Sequence, residues 1–481
     1  MSATRPKILG RALALVSLLA ALLALPGTAL ADSRAEVSIM DDQLLLNATT
    51  QEQVDREMQT FVDLGVDRLR VSAFWNQVAP APGARTRPAG FNAADPADPQ
   101  YDFAALDRVV SSASSHGLRV MVSISTPLPV WASAEPGRNN PLWKPRPADF
   151  ADFSEAVVRR YASLVDHWGI ANEPNQGVWL QPQSDRSGVV APHLYRGLVQ
   201  AAYPRIKAID PDSTALVGEL AASGREGRGA KVSMRPLRFL LAMGCRDSRF
   251  RRIRGGRCKG FRPVPLDALG HHPYQLLLAP ERRSRNRFDA AINDGRRLTT
   301  YLDRLIRTGA LRPSRRRPNI FYTEFGYQTN PPDPFAGVSL SAQRSYLQQA
   351  AFIAYRTPRV RGLNQFRLTD GGLAGSGARR FEEFQSGLMF RDRRKKPSYA
   401  AFPHPFVIKG DRFFGHVRRG GAHRVRVERR SRRGAPFRMV AQVLTNGSGY
   451  FSFRLRGRRA GEYRYTYDAP AGTSAIVRVR S

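Results

Sequence analysis

Two glutamates carry the chemistry that this sequence suggests. Glu173 stands in WGIANEPN, after an apolar run and between an amide and a proline; Glu324 stands in YTEFG, again where an apolar run ends. A carboxylate at the end of a strand projects from that strand's edge. If both strands belong to one parallel barrel, fourth and seventh in order, their ends meet across a single mouth. Two carboxyls roughly 5 Å apart there have the spacing for double displacement at a sugar carbon, one attacking and one shuttling the proton. The acid then needs apolar walls or a negative neighbour to stay protonated, and the nucleophile needs donors to stay ionised. Arg70 and Tyr274 are the candidate donors at matching depth. The plain alternative is a pair of structural ion-pair carboxylates in an arginine-rich protein.

Such a pair needs a scaffold, and the hydrophobic periodicity supplies one. Strand candidates are EVSIM (36–40), RLRVSAF (68–74), LRVMVSIS (118–125), DHWGIAN (166–172), TALVGEL (214–220), ALGHH (268–272), NIFYTE (319–324) and LNQFRL (363–368). Between them lie segments such as VDREMQTFVDLG and FADFSEAVVRRYASLV, whose apolar residues recur at the i, i+3, i+4, i+7 spacing of a half-buried helix. Strands this apolar, separated by helices, predict a parallel sheet covered on its outer face. The fold class is therefore α/β: a (β/α)8 TIM barrel over residues 32–403. A doubly wound open sheet would show a glycine-rich phosphate loop after its first strand, and none stands there. From 404 to 481 the period changes to two, with turns at Asn446-Gly447 and Ala460-Gly461, which predicts a small antiparallel β-sandwich of immunoglobulin or fibronectin type.

The other strand ends deliver further candidates: Arg70 from the second, Asn172 beside Glu173, and His272-Pro273-Tyr274 from the sixth. All five tryptophans fall between 75 and 179, and Trp75, Trp131, Trp143 and Trp179 lie in loops on the expected active face. Flat rings there either stack on sugars or pack the loops against the barrel, and Trp75, Trp131 and Trp179 are taken as substrate-binding, with Arg70, Asn172, His272, Tyr274 and Phe366. Glu219 ends the fifth strand and reads as a satisfied rim group, and Asp370 as a tuning residue or a turn cap. His271 and His272 are adjacent on a strand and so face opposite ways, which argues against a shared metal. No metal and no organic cofactor is expected.

The set IANEPN, YTEFG, His272-Pro273-Tyr274, Arg70 and the closing KPSYAAF resembles the clan A retaining glycoside hydrolases, the group of cellulases, β-mannanases and β-xylosidases, over about 36–403. The resemblance implies Glu173 as acid/base, Glu324 as nucleophile, Asn172 on the substrate 2-hydroxyl, Tyr274 on the nucleophile and His272 on the same wall. Two departures blur the family. Strand 3 ends SISTPLPVW without the histidine usual in family 5, closer to the β-xylosidase or family 39 type. Strand 8 reads GLNQFRLTD, with Phe366 or Gln365 where a tryptophan floor is usual.

Composition bounds the setting. Arg5, Lys7 and Arg11, an apolar run and a small-residue end at Ala29-Leu30-Ala31 read as a secretory signal cleaved after Ala31. The run is shorter than the roughly 20 residues of a membrane span, so a secreted, extracellular protein with no span after cleavage is expected. Export favours a disulfide between Cys245 and Cys258 over two free thiols. The net charge is +35, and 67 of the 75 basic residues are arginine, scattered over many segments. That scatter reads as a solvated arginine-rich surface rather than a nucleic-acid site. The densest stretch, 405–481, has 18 basic and 4 acidic residues and is the candidate surface for an anionic polymer. The expected partner is a poly- or oligosaccharide, as substrate or, in the alternative, as ligand of a non-catalytic wall- or carbohydrate-binding barrel.

Overall fold

The computed structural model describes residues 35–468 and 470–480. The expected signal over 1–31 and its cleavage after Ala31 lie outside them. Eight strands close a barrel: β1 Glu36–Met40, β2 Arg68–Phe74, β3 Arg119–Ser125, β4 His167–Ile170, β5 Thr214–Ala221, β6 Ala268–His272, β7 Asn319–Tyr322 and β8 Val360–Phe366. Neighbours pair in parallel in sequence order, and β1 meets β8 with Glu36 opposite Gly362 and Met40 opposite Phe366. Each strand is followed by a helix: α1 Gln51–Asp63, α2 Ala104–Ser115, α3 Pro147–Tyr161, α4 Ala191–Ile209, α5 Pro236–Met243, α6 Gly295–Arg307, α7 Leu340–Arg356 and the short α8 Pro397–Ala401. The expected (β/α)8 barrel is the fold observed.

Local sequence explains these elements. Thr50 and Gln53 form a capping box that starts α1, and Val54, Met58 and Phe61 turn its apolar stripe inward. Prolines in the first turn of α3, α4, α5 and α8 begin those helices where no intrahelical N–H is needed. The strands are buried almost throughout, as a sheet covered by helices requires.

Four strand ends differ from expectation: β5 runs one residue further, to Ala221, β8 spans Val360–Phe366 rather than 363–368, and two differences bear on the site. β4 stops at Ile170 rather than 172, and β7 at Tyr322 rather than 324. After β4 the backbone turns left-handed at Ala171 (φ 61°) and Glu173 (φ 37°), which breaks the ladder and lifts Asn172 and Glu173 out of the sheet. Both glutamates therefore sit just past the last paired residues, at the C-terminal mouth.

Beyond α8 every strand pairing is antiparallel. β9 Phe406–Lys409, β10 Arg412–His416 and β13 Tyr450–Arg454 form one sheet; β11 Arg424–Arg430, β12 Arg438–Leu444, β14 Gly461–Asp468, β15 Ala471–Thr473 and β16 Val477–Val479 form the other. Phe406, Phe413 and Phe451 from the first sheet and Val425, Val427, Tyr463 and Tyr465 from the second share a core of their own. The two antiparallel sheets fit the expected all-β domain, with three strands more: the hairpin of FVIK and RFFGH, which turns at Gly410 (φ 61°), and the short Ala471–Thr473. FVIK shows no alternation, so the period-two reading passed over it. Barrel and sandwich belong to one compact unit. Phe414 packs on Phe352 and Tyr355 of α7, and the Tyr450 hydroxyl donates to the Ala35 carbonyl at 2.9 Å. The structure joins Cys245 to Cys258, with Cα atoms 5.7 Å apart, in the excursion between α5 and β6. No helix among the described residues is long and apolar enough to cross a membrane.

Candidate active site

The C-terminal mouth of the barrel opens into a cavity of about 1340 Å³. Asn172, Glu173, Trp179, Tyr274, Glu324 and Phe366 line it. On its floor one carboxylate oxygen of Glu173, one of Glu324 and a ring nitrogen of His272 lie within 4.8 Å of one another. His272 is fully buried, with Nδ1 2.8 Å from Glu173 Oε1 and 3.4 Å from Glu324 Oε2. Adjacent His271 turns the other way, its Nε2 2.6 Å from the Ala290 carbonyl. The alternation expected of a strand separates the two imidazoles.

The two glutamates have unequal surroundings. Glu324 accepts from Arg70 Nη1 at 3.0 Å on one oxygen and from the Tyr274 hydroxyl at 3.0 Å on the other. Arg70 also donates from Nη2 to Asn172 Oδ1 at 2.8 Å, which leaves the Asn172 amide NH2 for the cavity. Among the described residues Glu173 forms no ion pair with an arginine or lysine. Burial pushes its carboxyl up to about 8; the Arg70 charge opposes the shift and the Glu219 carboxylate adds to it. Burial also raises Glu324, but the His272, Arg70 and Tyr274 contacts pull it back. The electrostatics thus separate the pair into a carboxyl that keeps its proton and a carboxylate cradled by donors. Burial pushes His272 down to about 4, so the ring between them is neutral. Its Nε2 meets no acceptor among the described residues, which favours the tautomer that carries the proton on Nδ1, facing the carboxyls.

The tryptophans divide sharply. Trp179 stacks on Phe74, with rings 6.2 Å apart and 7° from parallel, and both line the cavity. Trp75 and Trp131 do not reach it. Both are buried in the barrel's outer packing: Trp75 stacks on Phe153 and meets Phe150 and Trp131 edge-on, and Trp131 Nε1 donates to the Pro80 carbonyl. The sequence expectation for these two as substrate residues is corrected accordingly. They pack the loops. Trp143 also lies off the cavity, half-buried under the Arg138 guanidinium. Strand parity would have chosen Phe74 over Trp75, because Arg70, Ser72 and Phe74 point to one side of β2. Phe366 meets Tyr274 and Phe384 edge-on at the wall below β8. Arg70 and His272 sit beneath the cavity floor and touch the carboxyls without lining the opening.

Sequence reading missed Gln43, on the short helix Asp42–Leu46, and the loop residues Gln328, Glu383 and Phe384, all of which line the cavity, and no periodicity marks them. Asp370 is buried away from it and accepts from Lys396 Nζ at 2.6 Å, clasping the segment between β8 and α8.

No family model matches the chain. A β-glucosidase-like protein named SFR2, chloroplastic, from Oryza sativa subsp. japonica is 29% identical over 132 residues, 26% of this chain and 18% of the relative. The chain thus spans less than a fifth of the length of that curated relative. Among solved structures, a family 39 glycoside hydrolase from the gut symbiont Bacteroides cellulosilyticus WH2 superposes with a TM-score of 0.51 at 16% identity, covering 93% of this chain and 82% of the other. A glucosidase from Croceicoccus marinus follows at TM-score 0.47 and 16% identity, covering 83% and 89%. The barrel with its appended sandwich shares its fold with that family 39 glycoside hydrolase.

Proposed function

We propose that this chain is a secreted retaining glycoside hydrolase that cleaves β-glycosidic bonds of a poly- or oligosaccharide. The observation that carries this reading is the opposed pair, Glu173 and Glu324, with oxygens within 4.8 Å and unequal proton affinities. In the first step Glu324 attacks the anomeric carbon while Glu173 gives its proton to the departing glycosidic oxygen. The carbon–oxygen bond breaks as the glycosyl–Glu324 ester forms. Glu173, now ionised, takes a proton from the entering water; the water oxygen bonds to the anomeric carbon and Glu324 leaves with its electron pair. Arg70 and Tyr274 hold Glu324 ionised and aimed, Asn172 offers its amide to the sugar hydroxyl next to the reacting carbon, and Trp179 on Phe74 offers a face to a neighbouring ring. The sequence's leader motif supports export, and its arginine-dense sandwich is the surface proposed for an anionic polymer.

A mechanism-based fluoroglycoside tests the reading. Covalent labelling of Glu324, found by peptide mass, is the expected result, and Glu324→Gln should lose turnover by a factor on the order of 10⁴ or more while still binding sugar. Tight sugar binding with no label and no turnover would transfer the barrel to the non-catalytic binders.

A further inference from the structure

Glu219 has no place in the two-carboxylate mechanism, yet three features converge on it. The first is its burial. Its carboxylate is fully enclosed in the barrel wall, where layers of branched apolar residues are the rule. A charge there is costly unless it is paired. Its partners are Arg70, whose Nε and Nη2 lie 3.4 and 3.3 Å from the two oxygens, and the Ser123 hydroxyl.

The second is a bulge built around it. Between Val217–Leu269 and Leu220–His271 the β5–β6 register shifts, so Gly218 and Glu219 together oppose Gly270. Gly218 takes φ 116° and Glu219 φ 44°, and the Gly218 N–H donates to the Tyr195 hydroxyl at 2.6 Å. A left-handed glutamate in a strand is a strained choice that persists where the surroundings impose it. The bulge also frees the Glu219 carbonyl, which accepts from the Glu173 N–H at 3.1 Å.

The third is a slot cut by glycines on both neighbouring strands. A Cβ at Gly169 on β4 would stand 2.8 Å from Glu219 Oε1, and one at Gly270 on β6 would stand 2.7 Å from Glu219 Cγ. The wall lacks side chains where this one carboxylate needs room.

A guanidinium is a planar fork, so gripping one edge aims the others. Glu219 holds the Nε/Nη2 edge of Arg70, and Nη1 then points at Glu324 while Nη2 also reaches Asn172. We propose that Glu219 is a positioning residue for this site: its side chain aims Arg70 at Glu324 and Asn172, and its backbone carbonyl fixes the turn that presents Glu173. This inference rests on the glycosidase reading for its kinetic consequence and on the geometry alone for the contacts.

The test begins with Glu219→Gln, an isosteric change that removes the charge and keeps the shape. The groups facing Glu173 are Arg70 from β2, Glu219 from β5, His272 and Tyr274 from β6 and the turn after it, and Glu324 after β7. Removing one negative neighbour makes Glu173 easier to ionise. The expected result is a folded enzyme whose kcat falls about a hundredfold, as a misaimed group allows. Its KM stays within about threefold, because Glu219 touches no substrate. The alkaline limb of its pH–rate profile moves to lower pH. Gly169→Ala, which crowds the carboxylate, should lower kcat in the wild-type background and add nothing in Glu219→Ala. Unchanged kcat and pH profile in a folded Glu219→Gln, or additive losses in the double variant, would overturn the proposal. If wild type hydrolyses no glycoside, the functional reading fails on its own. The positioning claim is then decided by 13C titration of glutamate-labelled full-length protein, with the Glu173 signal assigned by its loss in Glu173→Gln. A midpoint that drops in Glu219→Gln supports the claim, and an unmoved one overturns it.

Discussion

The pH dependence of turnover follows most directly from the geometry. On the proposed mechanism Glu173 enters the first step protonated, and burial raises its carboxyl from the ordinary 4.5 to about 8. At pH 7 an ordinary carboxyl would be protonated in about one molecule in 300, whereas this one is protonated in about nine in ten. The raised carboxyl, set mainly by burial, therefore gives a gain of more than a hundredfold in competent enzyme at neutral pH. The kcat/KM profile of wild type on an aryl β-glycoside with a poor leaving group should hold a plateau through neutral pH. It should then fall about tenfold per unit above pH 8. The acid limb belongs to the raised but donor-held Glu324, which must be ionised to attack, and so lies above the usual carboxylate range. Because the two carboxyls interact, both limbs report the pair. A control separates Glu173 from other groups. Glu173→Ala on a dinitrophenyl glycoside, whose leaving group needs no proton, should lose the alkaline limb in the glycosylation step. Circular dichroism across the same range excludes unfolding. A profile flat to pH 10, or an alkaline limb unchanged in Glu173→Ala, would refute the assignment of the proton to this residue.

The same burial has a consequence for stability. Glu173 binds its proton more tightly folded than unfolded, so its contribution is fully favourable below pH 4.5 and is lost as pH rises through about 8. Glu173→Gln should therefore melt above wild type at pH 9 and with it at pH 4; equal melting temperatures at both would contradict the buried-acid account. Trp179→Ala should raise KM about tenfold at near-constant melting temperature, since one stacked ring on the cavity wall is lost. Trp75→Ala should instead cost about 3–5 kcal/mol of stability through a core cavity, with KM measured on the folded fraction unchanged. Cys245 and Cys258 are 13 residues apart, so Cys258→Ser should cost about 3 kcal/mol, read as a lowered denaturant midpoint, and leave kcat/KM intact because the crosslink lies off the cavity.

What could be read from the sequence was whatever repeats or whatever ends a repeat. Apolar runs with helices between them determined a covered parallel barrel, because burial on both faces leaves no alternation to confuse with an open sheet. The step to period two after KPSYAAF marked the sandwich for the converse reason, that a sheet buried on one face alternates, and FVIK escaped notice because a strand of four residues with continuous apolar character has no period. Glu173, Glu324, Asn172 and Tyr274 were legible as polar residues standing where apolar runs stop. The tertiary structure alone decided how those residues differ. Glu173 and Glu324 look equivalent in one dimension; only packing brings Arg70 and Tyr274 to one and leaves the other to desolvation. Trp75 and Phe74 are neighbours in the chain, and the direction of each Cβ at the end of β2 sends one to the core and the other to the cavity. Glu219 read as a rim group because a bulge cannot be seen until two strands are paired, and Gly169 and Gly270 acquire meaning only through the side chain that fills the space beside them. Periodicity is a property of one strand at a time, whereas proton affinity depends on every group that closes around a carboxyl, and those groups come from strands far apart in the chain.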